Sequence, residues 1–183
     1  MRTSLSKQTI NIQKGFTLVE LVLAIALLAV SVGVTNDILM SLVKSNNKTQ
    51  VMNEIEQQSN FVSLKMEKEL RNARDVTTPA SGSSGTSLIF ETKSGSIIEY
   101  DVDINSGKVK RKIDAGAPTD ITSNNNPGGV VATCGAPNCF FVSGFNPQVV
   151  SINIIFSQAQ SGVNSSYTGH TQIQSTIVVR NTY

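Results

Sequence analysis

A single carboxylate, Glu20, stands inside an otherwise apolar run from Phe16 to Val34. A charged side chain in a membrane-length segment costs about 2.5 kcal/mol or more unless a counter-charge meets it. The run holds 19 residues, about 28 Å as a helix, close to a hydrocarbon core of about 30 Å. The chemistry open to Glu20 is therefore ion pairing at the edge of a bilayer. Its place one turn inside the helix start suits a negative charge, because the helix dipole is positive there.

The residues around the acid read Lys14-Gly15-Phe16-Thr17-Leu18-Val19-Glu20, and a short leader with Arg2, Lys7 and Lys14 precedes the apolar run. This arrangement resembles the class III signal of type IV pilins and pseudopilins. The resemblance implies cleavage after Gly15 by a prepilin peptidase, followed by N-methylation of Phe16. It also implies that Glu20 of one subunit pairs with the new α-amine of Phe16 on its neighbour, which selects for assembly and helps set axial register. Two other readings fit part of the pattern. An ordinary secretory signal would use the basic leader and the small residues Ala29-Val30-Ser31, but the apolar run is longer than a typical h-region and Glu20 interrupts its start. A plain single-pass anchor would leave Glu20 without a partner.

Charge sets the topology. Removing the three leader cations from the net charge of +2 leaves the side chains from Phe16 onward at −1. A near-neutral mature chain makes no case for bulk nucleic-acid binding. Positive charge immediately before the span places the N-terminus in the cytoplasm and the remainder outside, and Lys44 and Lys48 weaken that contrast only slightly.

The helical pattern continues past the span. Asn36-Asp37 mark the exit from lipid, and no proline occurs between Phe16 and Thr78. Val51, Ile55, Val62, Met66, Leu70 and Ala73 form one stripe of a 3.6-residue period. Lys65–Glu69 and Glu67–Arg71 are i,i+4 opposite-charge pairs. These features predict one helix from about Phe16 to Arg74, weakest at Gly33 and Ser45-Asn46-Asn47. The stripe predicts ordinary packing against a sheet.

Downstream the composition turns to β. Thr77–Thr86 reads as a loop. Strands are predicted at Ser87–Thr92, Ser96–Ile104, Lys108–Ile113, Val130–Thr133, Phe140–Ser143, Val149–Ser157 and Gln172–Arg180. Ile98, Tyr100, Val102 and Ile104 share one face of the second. Asn105-Ser106-Gly107 signals a hairpin turn, while Asp114–Gly129 and Ser157–Gly169 read as long polar loops. The expected fold class is α+β: a long helical spine on an antiparallel sheet with one polar face. The expected divisions are residues 1–15 as leader, 16–35 as membrane or filament-core helix, 36–75 as its amphipathic continuation and 76–183 as a β-rich head. The order of Leu70-Arg71-Asn72-Ala73-Arg74, Leu88-Ile89-Phe90, Ile98-Glu99-Tyr100, Val109-Lys110-Arg111 and Val149–Phe156 resembles J-type minor pseudopilins and W-type minor pilins, which sit near filament tips and help start assembly.

Cys134 and Cys139 enclose Gly-Ala-Pro-Asn. With the head outside the cell, a small-loop disulfide is the natural reading. Free thiols are the alternative, and a metal site would need two further ligands with His170 far along the chain. Asp101, Asp103, Asn105 and Gly107 resemble a calcium loop out of register, since Ser106 occupies the glycine position and Lys112 that of the bidentate acid. The basic strand Lys108–Lys112 lacks stacking aromatics and reads as a solvated, lysine-protected edge. No nucleophile elbow, phosphate loop or metal cluster is present, so neither an enzyme nor a cofactor is expected.

The expected function is a structural subunit of a type IV pilus or type II secretion-like filament. Its expected partners are other pilin or pseudopilin subunits, the prepilin peptidase and the inner-membrane assembly platform. It is single-pass in the inner membrane before assembly and part of a cell-surface filament after it. The competing class is a membrane-anchored extracellular binding or adhesion domain that never polymerises.

Overall fold

A computed structural model describes residues 15–125, 129–159 and 169–179. The predicted leader with Arg2, Lys7 and Lys14, most of the predicted loop at 157–169, and Arg180 lie outside the described residues. The chain divides into two compact units, Met1–Lys44 and Ser45–Tyr183. The division falls where Ser45-Asn46-Asn47 weakens helix propensity. One helix, α1 (Leu18–Arg71), supplies residues to both units.

In the first unit every described side chain is exposed, and the helix there is long and apolar enough to cross a membrane. Two of its hydroxyls are satisfied locally. Ser31 donates to the Leu28 carbonyl at 2.9 Å and Thr35 to that of Ser31 at 2.7 Å, so neither hydroxyl is left bare in an apolar surrounding.

In the second unit α1 buries Ile55, Ser59, Val62, Met66 and Leu70. Ser59 fills the gap in the predicted apolar stripe, and its hydroxyl donates to the Glu56 carbonyl at 3.1 Å. The helix stops at Arg71, short of the expected Arg74. Ala73 then opens β1 (Ala73–Thr78), where a loop was expected from Thr77. Ala73 and Val76 turn inward, and β1 pairs antiparallel with β3 (Ser87–Thr92). Ala73 lies three residues after Leu70, so it continues the helical period while belonging to a strand.

The remaining strands are β2 (Ser84–Gly85), β4 (Ile97–Asp103), β5 (Lys108–Ile113), β6 (Thr119–Asp120), β7 (Val130–Cys134), β8 (Phe140–Ser143), β9 (Gln148–Gln158) and β10 (His170–Val179). They form two antiparallel sheets instead of the single sheet expected. One runs β1-β3-β4-β5-β6; the other runs β10-β9-β8-β2, with β7 also on β9. The long helix with antiparallel sheets is an α+β, pilin-like architecture. Ile98, Tyr100 and Val102 face the core, whereas Ile104 falls in the turn and is exposed. At the end of that turn Gly107 adopts φ 66°, a conformation that favours glycine.

β7 and β8 lie end to end along one edge of β9: Cys134 is opposite Ile154 and Phe140 opposite Ile152. The chain between them loops out opposite Asn153, and the Cys134–Cys139 disulfide closes the loop. Asn153 holds the loop from β9. Its N–H donates to the Cys139 carbonyl at 2.7 Å, its carbonyl accepts from Gly135 N–H at 3.0 Å, and its Nδ2 donates to the Ala136 carbonyl at 2.9 Å.

Candidate functional site

Gly15, Phe16 and Thr17 precede the helix without regular secondary structure, and all three are exposed. The Gly15–Phe16 peptide bond is therefore accessible, and nothing lies within 4 Å of where a Gly15 side chain would begin. Thr17 caps the helix, its Oγ1 accepting from the Glu20 N–H at 3.3 Å. With the acid three residues on, this is the spacing of a capping box, which fixes where the helix starts. Thr17 had no assigned role in the sequence reading, although Thr-Leu-Val-Glu is its signature. The cap uses the backbone of Glu20 and leaves its carboxylate exposed on the first turn. Among the described residues no ion pair reaches Glu20.

A second glutamate on α1 is treated in the opposite way. Glu69 lies beside the buried stripe and meets Arg111 of β5 through two hydrogen bonds, Nη2 to Oε1 at 2.8 Å and Nε to Oε2 at 3.0 Å. The buried Tyr100 hydroxyl donates to the same carboxylate at 2.5 Å. Burial, and then the bond to Glu69, push the Tyr100 phenol far above its ordinary range, so it remains a donor. Its ring stacks on Phe90 with centroids 6.3 Å apart. A fork of charge-assisted bonds in a half-buried setting fixes geometry as well as adding energy. It ties the helix to β4 and β5 of the first sheet.

The basic strand β5 presents no spare positive charge. Lys108 pairs with Asp120 at 2.8 Å, Lys110 with Asp103 at 2.6 Å, Arg111 with Glu69 at 2.8 Å and Lys112 with Glu99 at 3.5 Å. Nor is β5 an edge as expected, because β6 pairs beside Lys110 and Arg111.

Asp103 organises the β4–β5 turn. Its Oδ1 accepts from Asn105 N–H at 3.0 Å and Ser106 N–H at 3.3 Å, and its Oδ2 from Ser106 Oγ and Lys110 Nζ. The Lys110 and Ser106 bonds hold its carboxyl well below the usual range. Its lone pairs thus serve the turn, and among the described residues no three potential metal ligands gather. Asp101 is shifted upward by burial and by its neighbours Asp103 and Glu99. Cys134 and Cys139 are joined in the looped-out segment between β7 and β8, and Cys139 is fully buried.

The family model of the prokaryotic N-terminal methylation motif matches residues 10–35. Neither the curated proteins nor the solved structures offer a match to the chain. The exposed Gly15–Phe16 bond, the Thr17 cap and Glu20 all fall inside the matched stretch, and the chain carries a type IV prepilin signal at the start of the one helix among the described residues that is long and apolar enough to cross a membrane.

Proposed function

We propose that the chain is a structural subunit, a minor pilin or pseudopilin, of a type IV pilus or type II secretion-like filament. A prepilin peptidase hydrolyses the Gly15–Phe16 bond on the cytoplasmic side, leaving a carboxylate on Gly15 and an amine on Phe16, which is then methylated. The inner-membrane assembly platform extracts the subunit from the membrane with its head outside. In the filament, Glu20 pairs with the Phe16 amine of a neighbour and sets the axial register.

The observation that carries this reading is the Glu20 carboxylate: it lies in an exposed apolar helix and has no ion pair among the described residues. An acid left that way in lipid costs about 2.5 kcal/mol or more, so a cation from another copy stabilises the assembled state selectively. The paired cations of β5 favour a role that does not depend on nucleic-acid binding. The order of the strand motifs, which resembles J- and W-type heads, and the long head loops support a minor subunit.

The test is Glu20→Ala. Membrane insertion is expected to persist while incorporation into sheared filaments is lost. Normal incorporation of the variant would remove the pairing role.

A further inference from the structure

The two sheets have five terminal strands, counting β7, which pairs only with β9, and four are protected against further pairing. On β7 the Val130 and Ala132 N–H groups donate to the Ser123 and Gly107 carbonyls at 2.7 and 2.8 Å. β2 and β6 are two residues long. β1 carries Arg74 and Asp75 and two register irregularities. Its Val76 N–H and carbonyl are also taken by the buried Gln148 side chain, at 2.8 and 3.0 Å. Short strands, charges and bulges are the usual means of blunting an edge.

The fifth terminal strand, β10, has none of these protections. It runs ten residues from His170 to Val179 with no Asp, Glu, Lys, Arg or Pro. Its pairing with β9 continues through ten successive residues without a shift. Among the described residues no strand lies on its other side. His170, Gln172, Gln174, Thr176 and Val178 are exposed, and the inward-facing Thr171, Ile173 and Ser175 are only half-buried. The sequence around it is equally free of charge, with no Asp, Glu, Lys or Arg between Asp120 and Arg180.

From this contrast we infer that β10 is an interface between two copies of this chain, joined by antiparallel pairing of β10 with β10. The missing charge selects the occupant. At the two-fold axis a side chain meets its own copy, so a charge at the centre of the strand would face a like charge and oppose pairing. A different partner could offer a counter-charge and would not require a neutral strand.

Centring the pair on Gln174 gives the longest overlap. It sets Gln174 against Gln174, Gln172 against Thr176 and His170 against Val178, keeping the exposed set on one face as the side-chain period demands. The amides and hydroxyls opposed in this way can hydrogen-bond, and the second strand shields Thr171, Ile173 and Ser175. The inference goes beyond the filament reading and does not depend on cleavage or on Glu20.

Cysteine cross-linking of the full-length chain in native membranes tests both interface and register. Cys134 and Cys139 are already joined, so an introduced thiol reports alone. Gln174→Cys is expected to give a covalent dimer on oxidation. His170→Cys is expected to give none, because the two copies of residue 170 lie at opposite ends of the pair. Co-expressed Gln172→Cys and Thr176→Cys chains are expected to cross-link to each other, and adding Gln174→Lys to both is expected to abolish that product.

Three outcomes would overturn the inference. Gln174→Cys could dimerise no more than Asn105→Cys, an exposed position on the β4–β5 turn that reports random collision. His170→Cys could dimerise as well as Gln174→Cys. Gln174→Cys could cross-link only to a different protein or, with no covalent adduct to protein, be shielded only when neutral polysaccharide is added.

Discussion

Glu20 and Glu69 lie on the same helix and solve the same problem differently. Glu69 finds its counter-charge within the chain, in the Arg111 fork and the Tyr100 hydroxyl. Glu20 uses its backbone N–H for the Thr17 cap and keeps its carboxylate exposed. The stretches around them differ in the same sense. Near Glu69 the helix buries Val62, Met66 and Leu70, whereas near Glu20 it buries nothing. The second stretch is completed by its own head, and the first has to be completed by lipid or by other molecules. A charge satisfied within the chain is structural, and a charge the chain leaves open is available for assembly.

Truncating one apolar side chain in each stretch should break the symmetry most clearly. Met66→Ala is expected to destabilise the head by about 2–5 kcal/mol, the usual cost of a core methionine. Leu27→Ala, exposed in the first unit, is expected to leave head unfolding unchanged. Urea denaturation of the detergent-solubilised full chain, followed by near-ultraviolet circular dichroism, measures both.

The next effect belongs to the two acids themselves. Glu69→Ala strands Arg111, whose side chain is only 16% exposed, and is expected to cost about 2–4 kcal/mol, since removing one partner leaves a poorly solvated charge. Glu20→Ala should not move the same unfolding curve. Equal losses from the two substitutions would erase the distinction between them.

The smallest effect sharpens the electrostatics of the head. Asp101 titrates above its ordinary value through burial, then through Asp103 and Glu99. A carboxyl whose pKa is raised by folding opposes folding when ionised. Asp101→Asn is therefore expected to stabilise the head slightly at neutral pH. The gain should shrink as pH falls through the raised value and vanish below that of the unfolded chain. Asp103 has the opposite sign: its depressed pKa makes a contribution that is present at neutral pH and lost on acidification. Unfolding midpoints measured between neutral and acid pH check both.

The N-terminal motif was legible because its chemistry is local: an acid, a glycine, a phenylalanine and an apolar run in consecutive order. Most strands were legible from alternation, and Ser87–Thr92 and Lys108–Ile113 coincide with β3 and β5. β1 was hidden because Ala73 fits the helical period as well as the strand, and β2 and β6 are too short to carry any period. The division into two sheets depends on which strands meet, as when β7 and β8 share one edge of β9, and periodicity does not encode that. The Glu69–Arg111–Tyr100 cluster joins residues 42 and 31 positions apart. A faint signal existed, since strand alternation puts Arg111 on the same side as the buried Val109, where a cation requires an acid. The charge-free stretch before Arg180 is plain in the sequence, but its meaning emerges only once β10 is a terminal strand.

The most direct test of prepilin identity is mass spectrometry of the N-terminal peptide from native membranes or sheared filaments. A mature chain starting at Phe16 with one added methyl group is the expected result. A peptide that spans an intact Gly15–Phe16 bond, or a chain that starts near Val32, would contradict processing at this signal and with it the filament role.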